Sequence, residues 1–192
     1  MANFPEDARR TAGFELWQIQ LGLMASDFKP MPTVGLGAYE IRIKISGQWR
    51  VIYVANRSEA IYVLHCFQKK TPKTPQAELD LSIKRYKLIG DTHDKKKVDP
   101  DSLMTVSSGN VFLDLGFPPG EAAVLALRAD LMGRLRILIE ERGWTQSQAA
   151  EQLGIGQSRV SDLVRGKWEK FSLDMLITLA ARAGKRVELA LA

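Results

Sequence analysis

Cysteine occurs once in this 192-residue chain, at Cys66, and histidine twice, at His65 and His93. A lone cysteine cannot close an intrachain disulfide, and one cysteine with two separated histidines cannot assemble a soft-ligand metal site. No apolar run approaches the roughly 20 residues that cross a bilayer, and no basic-then-apolar leader follows Met1. The expectation is a cytoplasmic protein with no metal, no cofactor and no membrane partner. Hydrophobic residues at 45% and charged residues at 26% are ordinary for a globular chain.

The length suits one large domain or two small ones, and charge distribution favours two. Residues 1–90 carry 13 Lys and Arg against 8 Asp and Glu, a net +5, whereas residues 111–192 carry 11 against 10. A basic first half points to a polyanion partner or to a solvated surface. Between the halves, residues 91–110 are polar and aperiodic, with Gly, Pro, Ser and the run Lys95, Lys96, Lys97. They read as a linker, or seam, with the lysine run as a protease site. Met104 is either an ordinary loop methionine or the start of a once-separate chain.

The densest pattern is residues 145–166, TQSQAAEQLGIGQSRVSDLVRG. Thr145 and Gln148 have the spacing of a capping box, Gly154 supplies the positive φ of a sharp turn, and Ala149 and Ala150 let a second helix cross closely. Leu153, Ile155, Val160 and Leu163 point inward at helical spacing. Gln157, Ser158 and Arg159 are left outward at the start of the second helix, with side chains able to read base edges. Gln146 would meet a phosphate, and Arg165 and Lys167 extend the DNA-binding set. An ordinary helical hairpin is the plainer alternative. The segment resembles the helix-turn-helix of lambda and Cro-type repressors, departing at Gly156, where such repressors often place a capping Thr or Ser.

The first half reads as a helix over 7–25 followed by three strands, 39–44, 49–55 and 61–67, in an antiparallel meander. Thr74 and Pro75 then open a helix to residue 89. The arrangement is α+β and unlike a nucleotide-binding α/β fold. The second half reads as all-α. A helix over 120–142 has Leu127, Leu131, Leu135, Leu138 and Ile139 on its apolar side. The helix-turn-helix follows, then a helix over 172–184 and a short C-terminal strand over 186–191. That strand needs a partner, most simply its own copy in a homodimer.

On the predicted sheet, Arg42, Lys44 and Arg50 lie near Lys69 and Lys70, with no paired carboxylates or Ser/His/Asp arrangement evident beside them. Such cations can hold a phosphodiester and stabilise the charge that builds when a ribose 2′-hydroxyl attacks it. Arg50 is the natural bidentate clamp. His65 shares a strand face with Ile61, Val63 and Phe67, which fits a core histidine as well as a catalytic one.

The segments EIRIKISGQWRVIYV and IYVLHCFQKKTPKTP resemble the HigB-like branch of the RelE toxin superfamily, small ribonucleases that cut messenger RNA, usually on the ribosome. SSGNVFLDLGFPPGEA with the repressor-like motif resembles the HigA-type antitoxin. The resemblance implies Arg42, Arg50, Lys69 and Lys70 as catalytic residues, with Lys44 and His65 as lesser ones; Gln76 stands near the place of the RelE tyrosine. HigB-like toxins usually begin with a strand before the first helix. That strand appears absent here, so residues 111–115 or 186–191 are expected to substitute for it at the sheet edge.

These readings converge on a toxin–antitoxin fusion. An mRNA endoribonuclease domain, 1–90, is neutralised in cis by an operator-binding domain, 111–192, that represses its own promoter as a homodimer. The rivals are a repressor carrying an inactive toxin-derived domain and an adaptor that holds RNA without cutting it.

Overall fold

A computed structural model of the chain describes residues 1, 3–55, 60–91 and 105–188. The lysine run at 95–97 and Met104 lie outside the described residues. The first half is helix α1 (Glu6–Gln20), strands β1 (Phe28–Pro30), β2 (Ala38–Ile43), β3 (Trp49–Val54) and β4 (Tyr62–Gln68), and helix α2 (Gln76–Asp91). The second half is α3 (Val111–Asp114), α4 (Pro119–Glu141), α5 (Gln146–Leu153), α6 (Gln157–Val164), a 3₁₀ turn (Trp168–Lys170) and α7 (Leu173–Arg182). The α+β and all-α readings of the two halves hold.

The four strands form an antiparallel sheet in the order β1-β2-β3-β4. Alternation sorts its side chains between two faces. Ile41, Ile43, Trp49, Val51 and Tyr53 pack with α1 in one core cluster, and Ala38, Ile52, Val54, Leu64 and Phe67 pack with α2 in another. All six residues of β3 are buried, as a central strand between two helical layers requires. Ser46 and Gly47, both at positive φ, turn the chain from β2 into β3.

The edge strand comes from a segment that sequence reading passed over. Phe28–Pro30 pairs with β2 in the register Phe28↔Ile41, Lys29↔Glu40, Pro30↔Tyr39. Three residues ending in proline show no alternation, and proline is tolerated there because an edge strand needs only one row of hydrogen bonds. The expected substitute at 111–115 is instead helical: Asn110 caps α3 by accepting from the Phe112 N–H at 3.0 Å. Of the other expected substitute, 186–191, residues 186–188 are irregular and 189–191 lie outside the described residues.

The two halves share α1. Ala8, Ala12, Gly13, Phe14, Glu15, Leu16, Gln18 and Ile19 are all buried, far more than one stripe, because α1 has the sheet on one side and α3 and α4 on the other. On α4 the buried set is centred on Ala122, Leu125, Ala129, Met132, Gly133, Leu135 and Leu138. Leu127, expected on the apolar side, is 37% exposed. Small residues bring the helices together: a Cβ at Gly133 would lie 2.4 Å from Leu21 and 3.0 Å from Gln18. The buried Gln18 amide donates to the Ala129 carbonyl at 2.8 Å, and its oxygen accepts from Arg136 at 3.2 Å. Glu15, also buried, accepts from the Ser26 N–H at 2.9 Å and from the Ser26 hydroxyl, and burial pushes its carboxyl upward despite these bonds.

A Cβ at Gly13 would stand 2.6 Å from the Phe112 ring, which is itself 1% exposed and wedged between Trp17 and Phe117. In an open helix Gly→Ala is stabilising by about 1 kcal/mol; here overpacking of about 1–3 kcal/mol outweighs it. Gly13→Ala is therefore expected to lower the urea midpoint, whereas Gly120→Ala, with open space around its Cβ, is expected to hold or raise it.

Candidate nucleic-acid interfaces

The helix-turn-helix is built by local chemistry. Thr145 Oγ1 accepts from the Gln148 N–H at 3.2 Å and Gln148 Oε1 accepts from the Thr145 N–H at 2.9 Å, the reciprocal capping box. Gly154 ends α5 at φ 62°. Arg182 of α7 then donates to the carbonyls of Leu153 and Gly154, both at 3.0 Å, fixing the turn from behind. Ala149, Leu153, Val160 and Leu163 are fully buried, and Ile155 is half-buried.

At the start of α6, Gln157 and Ser158 are exposed, as are Gln146 on α5 and Arg165 beyond α6. Gly156 is the N-cap and contributes no side-chain bond, so the first N–H groups of α6 lack a cap acceptor. Arg159 turns back into its own domain, where its guanidinium lies 4.6 Å from the Phe171 ring centroid and donates to the Lys170 carbonyl at 2.9 Å. Lys167 pairs with Asp162 at 2.8 Å, and Lys170 binds the same carboxylate at 2.6 Å. Hydrogen bonds from these lysines hold the Asp162 carboxyl down to about 2. The freest side chains of the expected DNA set are thus Gln146, Gln157, Ser158 and Arg165.

Of the expected catalytic residues, Arg42, Arg50 and His65 lie on the α2 side of the sheet. Arg42 and Arg50 are direct cross-strand partners, as are Arg50 and Phe67, and Ile52 and His65. Arg42, Lys44 and Arg50 each meet a carboxylate, contrary to the expectation of an unaccompanied cluster. Arg42 pairs with Asp27 at 2.5 Å and Lys44 with the same carboxylate at 3.1 Å. Arg50, 4% exposed, meets Glu40 at 3.3 Å and donates to the Trp49 carbonyl at 2.8 Å and Gln48 Oε1 at 3.2 Å. Lys69 and Lys70 follow β4, with the Lys69 N–H donating to the Gln48 carbonyl at 2.7 Å. Among the described residues neither lysine side chain has an ion-pair partner.

His65 stacks on Phe67 at 5.3 Å, but a register shift between Ile52 and Tyr53 moves Val63 off that face, opposite Tyr53. Its Nε2 pairs with Glu78 of α2, and Arg85 of α2 stands 3.4 Å from its Nδ1. Sequence reading missed Glu78 and Arg85, which stand beside the apolar stripe Leu79, Ile83, Tyr86 that packs on the sheet. The signal was the adjacent stripe, Glu78, Ser82, Arg85, at the same helical spacing.

The buried Arg50–Glu40 pair makes Arg50 a structural residue as well as a candidate clamp. Arg50→Ala would strand the Glu40 carboxylate, a loss on the order of 3–5 kcal/mol. Replacing both together, Glu40→Met with Arg50→Met, is expected to recover most of that loss in urea unfolding.

Residues 1–87 match the family described as phage derived protein Gp49-like (DUF891), and residues 111–191 match a helix-turn-helix domain family. No curated protein matched the chain. Among the described residues no helix is long and apolar enough to cross a membrane. The first half of the chain is thus similar to Gp49-like proteins and the second half to helix-turn-helix domains.

Proposed function

We propose that the chain is a toxin–antitoxin fusion of the HigBA kind. In this reading residues 1–90 form an RNA-cleaving domain, 91–110 a linker and 111–192 a DNA-binding domain that restrains the first in cis and represses its own promoter. The observation that carries it is the layering around α1: the Gp49-like half contributes a helix whose outer surface is buried by α4, with Gln18 bonded to Ala129 across the seam.

That contact lies on the opposite face of the sheet from Arg42, Arg50 and His65, so restraint acts through bulk. A domain carrying five further helices on its back cannot enter a narrow ribosomal site for mRNA, although its basic face stays open. Arg42, Lys44, Arg50, Lys69 and Lys70 supply the field for the phosphodiester. On DNA, Gln157 and Ser158 enter the major groove, while Gln146, Arg159, Arg165 and Lys167 serve base edges and phosphates around them. A homodimer sets two reading helices about 34 Å apart, one turn of DNA.

The ion pairs of Arg42 and Arg50 favour a second reading, a repressor whose toxin-derived domain no longer cuts RNA. One substitution separates the two. The nearest atoms to a Cβ at Gly133 belong to Gln18 of α1 and to Leu21 just after it, so Gly133→Leu pries α1 from α4 while favouring the α4 helix itself. With folding checked by circular dichroism, the Gly133→Leu chain is expected to inhibit translation and cut mRNA while retaining operator binding; the unaltered chain should bind the operator and leave translation untouched. A folded variant that binds operator DNA and leaves translation untouched would favour the repressor.

A further inference from the structure

Along β4, with Met1 and Arg85 of α2 beside it, lies an open cleft of about 390 Å³ lined also by Val63, Leu64, His65 and Cys66. Two of its features point to a ligand. Arg85 donates to the Leu64 carbonyl at 2.7 Å and approaches His65 Nδ1 at 3.4 Å, a long contact. Among the described residues no carboxylate pairs with it, unlike the guanidinium groups of Arg42 and Arg50. A half-buried guanidinium without a carboxylate is a ready clamp for a phosphate.

Glu78 faces Nε2 of His65. A carboxylate there can only accept, which favours the Nε2–H tautomer and makes Nδ1 the lone-pair nitrogen of the neutral ring, on the side toward Arg85. Cys66 is no competitor for the chemistry, since burial pushes its thiol up to about 11 and a thiol, unlike a thiolate, is a poor nucleophile. The cleft is lined only by residues of the N-terminal half, so the helical half does not close it.

We propose that this cleft takes an RNA phosphodiester, with Arg85 gripping the non-bridging oxygens, His65 accepting the 2′-hydroxyl proton and Glu78 positioning the imidazole. The proposal rests on the nuclease reading above and moves its proton transfer away from the lysines. In the step, the 2′-O–H bond breaks as its proton passes to Nδ1 and the 2′-oxygen bonds to phosphorus. The P–O5′ bond breaks with its electron pair on the 5′-oxygen, which takes a proton from water, and the imidazolium returns its own to the hydroxide left behind. The products are a 2′,3′-cyclic phosphate and a 5′-hydroxyl.

The test uses the full-length chain and a short single-stranded oligoribonucleotide, with product ends read by mass spectrometry. Cyclic-phosphate ends are expected. His65→Gly should lower kcat about 100-fold with little change in KM, and free imidazole should restore part of it, which a merely structural histidine would not allow. Arg85→Met should weaken kcat/KM at least about tenfold, with Arg85→Lys recovering part. Glu78→Ala should lower kcat at unchanged KM, and Glu78→Gln, which keeps an acceptor for Nε2–H, should recover some of it. Cleavage that survives both His65→Gly and Arg85→Met overturns the assignment and leaves the nuclease reading standing. No cleavage of the short RNA by the folded full chain also overturns it, because the cleft is open there; translation by the Gly133→Leu chain then judges the nuclease reading independently.

Discussion

The burial of α1 on both sides is the constraint on which the rest of the structure depends. A helix that packs on one layer needs one apolar stripe and can leave its other face in water. Here Ala8, Ala12, Gly13 and Phe14 follow one another around the helix, and two polar side chains, Glu15 and Gln18, are buried as well. Burying an amide without partners costs about 1–3 kcal/mol, and Gln18 avoids that only while the Ala129 carbonyl and Arg136 stand opposite it. Removing the helical half would therefore expose apolar surface and also orphan a hydrogen-bonding network, which ties the folding of the two halves together.

This arrangement separates tasks by face. The sheet gives one side to α1, and through it to α3 and α4, and the other to α2 with Arg42, Arg50 and His65. The reading helix α6 is anchored by its own packing on α4 and α5, with Arg128 tying the 3₁₀ turn to α4 through the Trp168 and Phe171 carbonyls. The residues proposed to face DNA thus sit on elements that take no part in the α2 face. Among the described residues, α1 is the layer that packs on both the sheet and the second-half helices.

What was legible in the sequence was what local rules determine. The capping box at Thr145 and Gln148, the left-handed Gly154 and the spacing of Leu153, Val160 and Leu163 are encoded within one 22-residue stretch, and each appears as read. The three long strands and both flanking helices of the first half also follow from period and turn chemistry. The electrostatics of the sheet was not legible, because Glu40 reaches Arg50 across strands and Asp27 reaches Arg42 from the end of β1, pairings that depend on register. The edge strand Phe28–Pro30 escaped because three residues carry no period. The helix α3 was misread because VFLDL is apolar enough for a strand, and only the Asn110 cap marks it as helical. Gly13 and Gly133, in mid-helix, are close-contact points of the fold that no local pattern marks.

The most direct measurement of the shared α1 layer is native-state hydrogen exchange on the intact chain. If the layer joins the halves into one cooperative unit, the slowest amides of β3 and of α4 exchange with the same free energy and the same denaturant dependence. Slowest amides in α4 that open at a distinctly lower free energy than those of β3 would contradict the account, because they would show two bodies that merely touch.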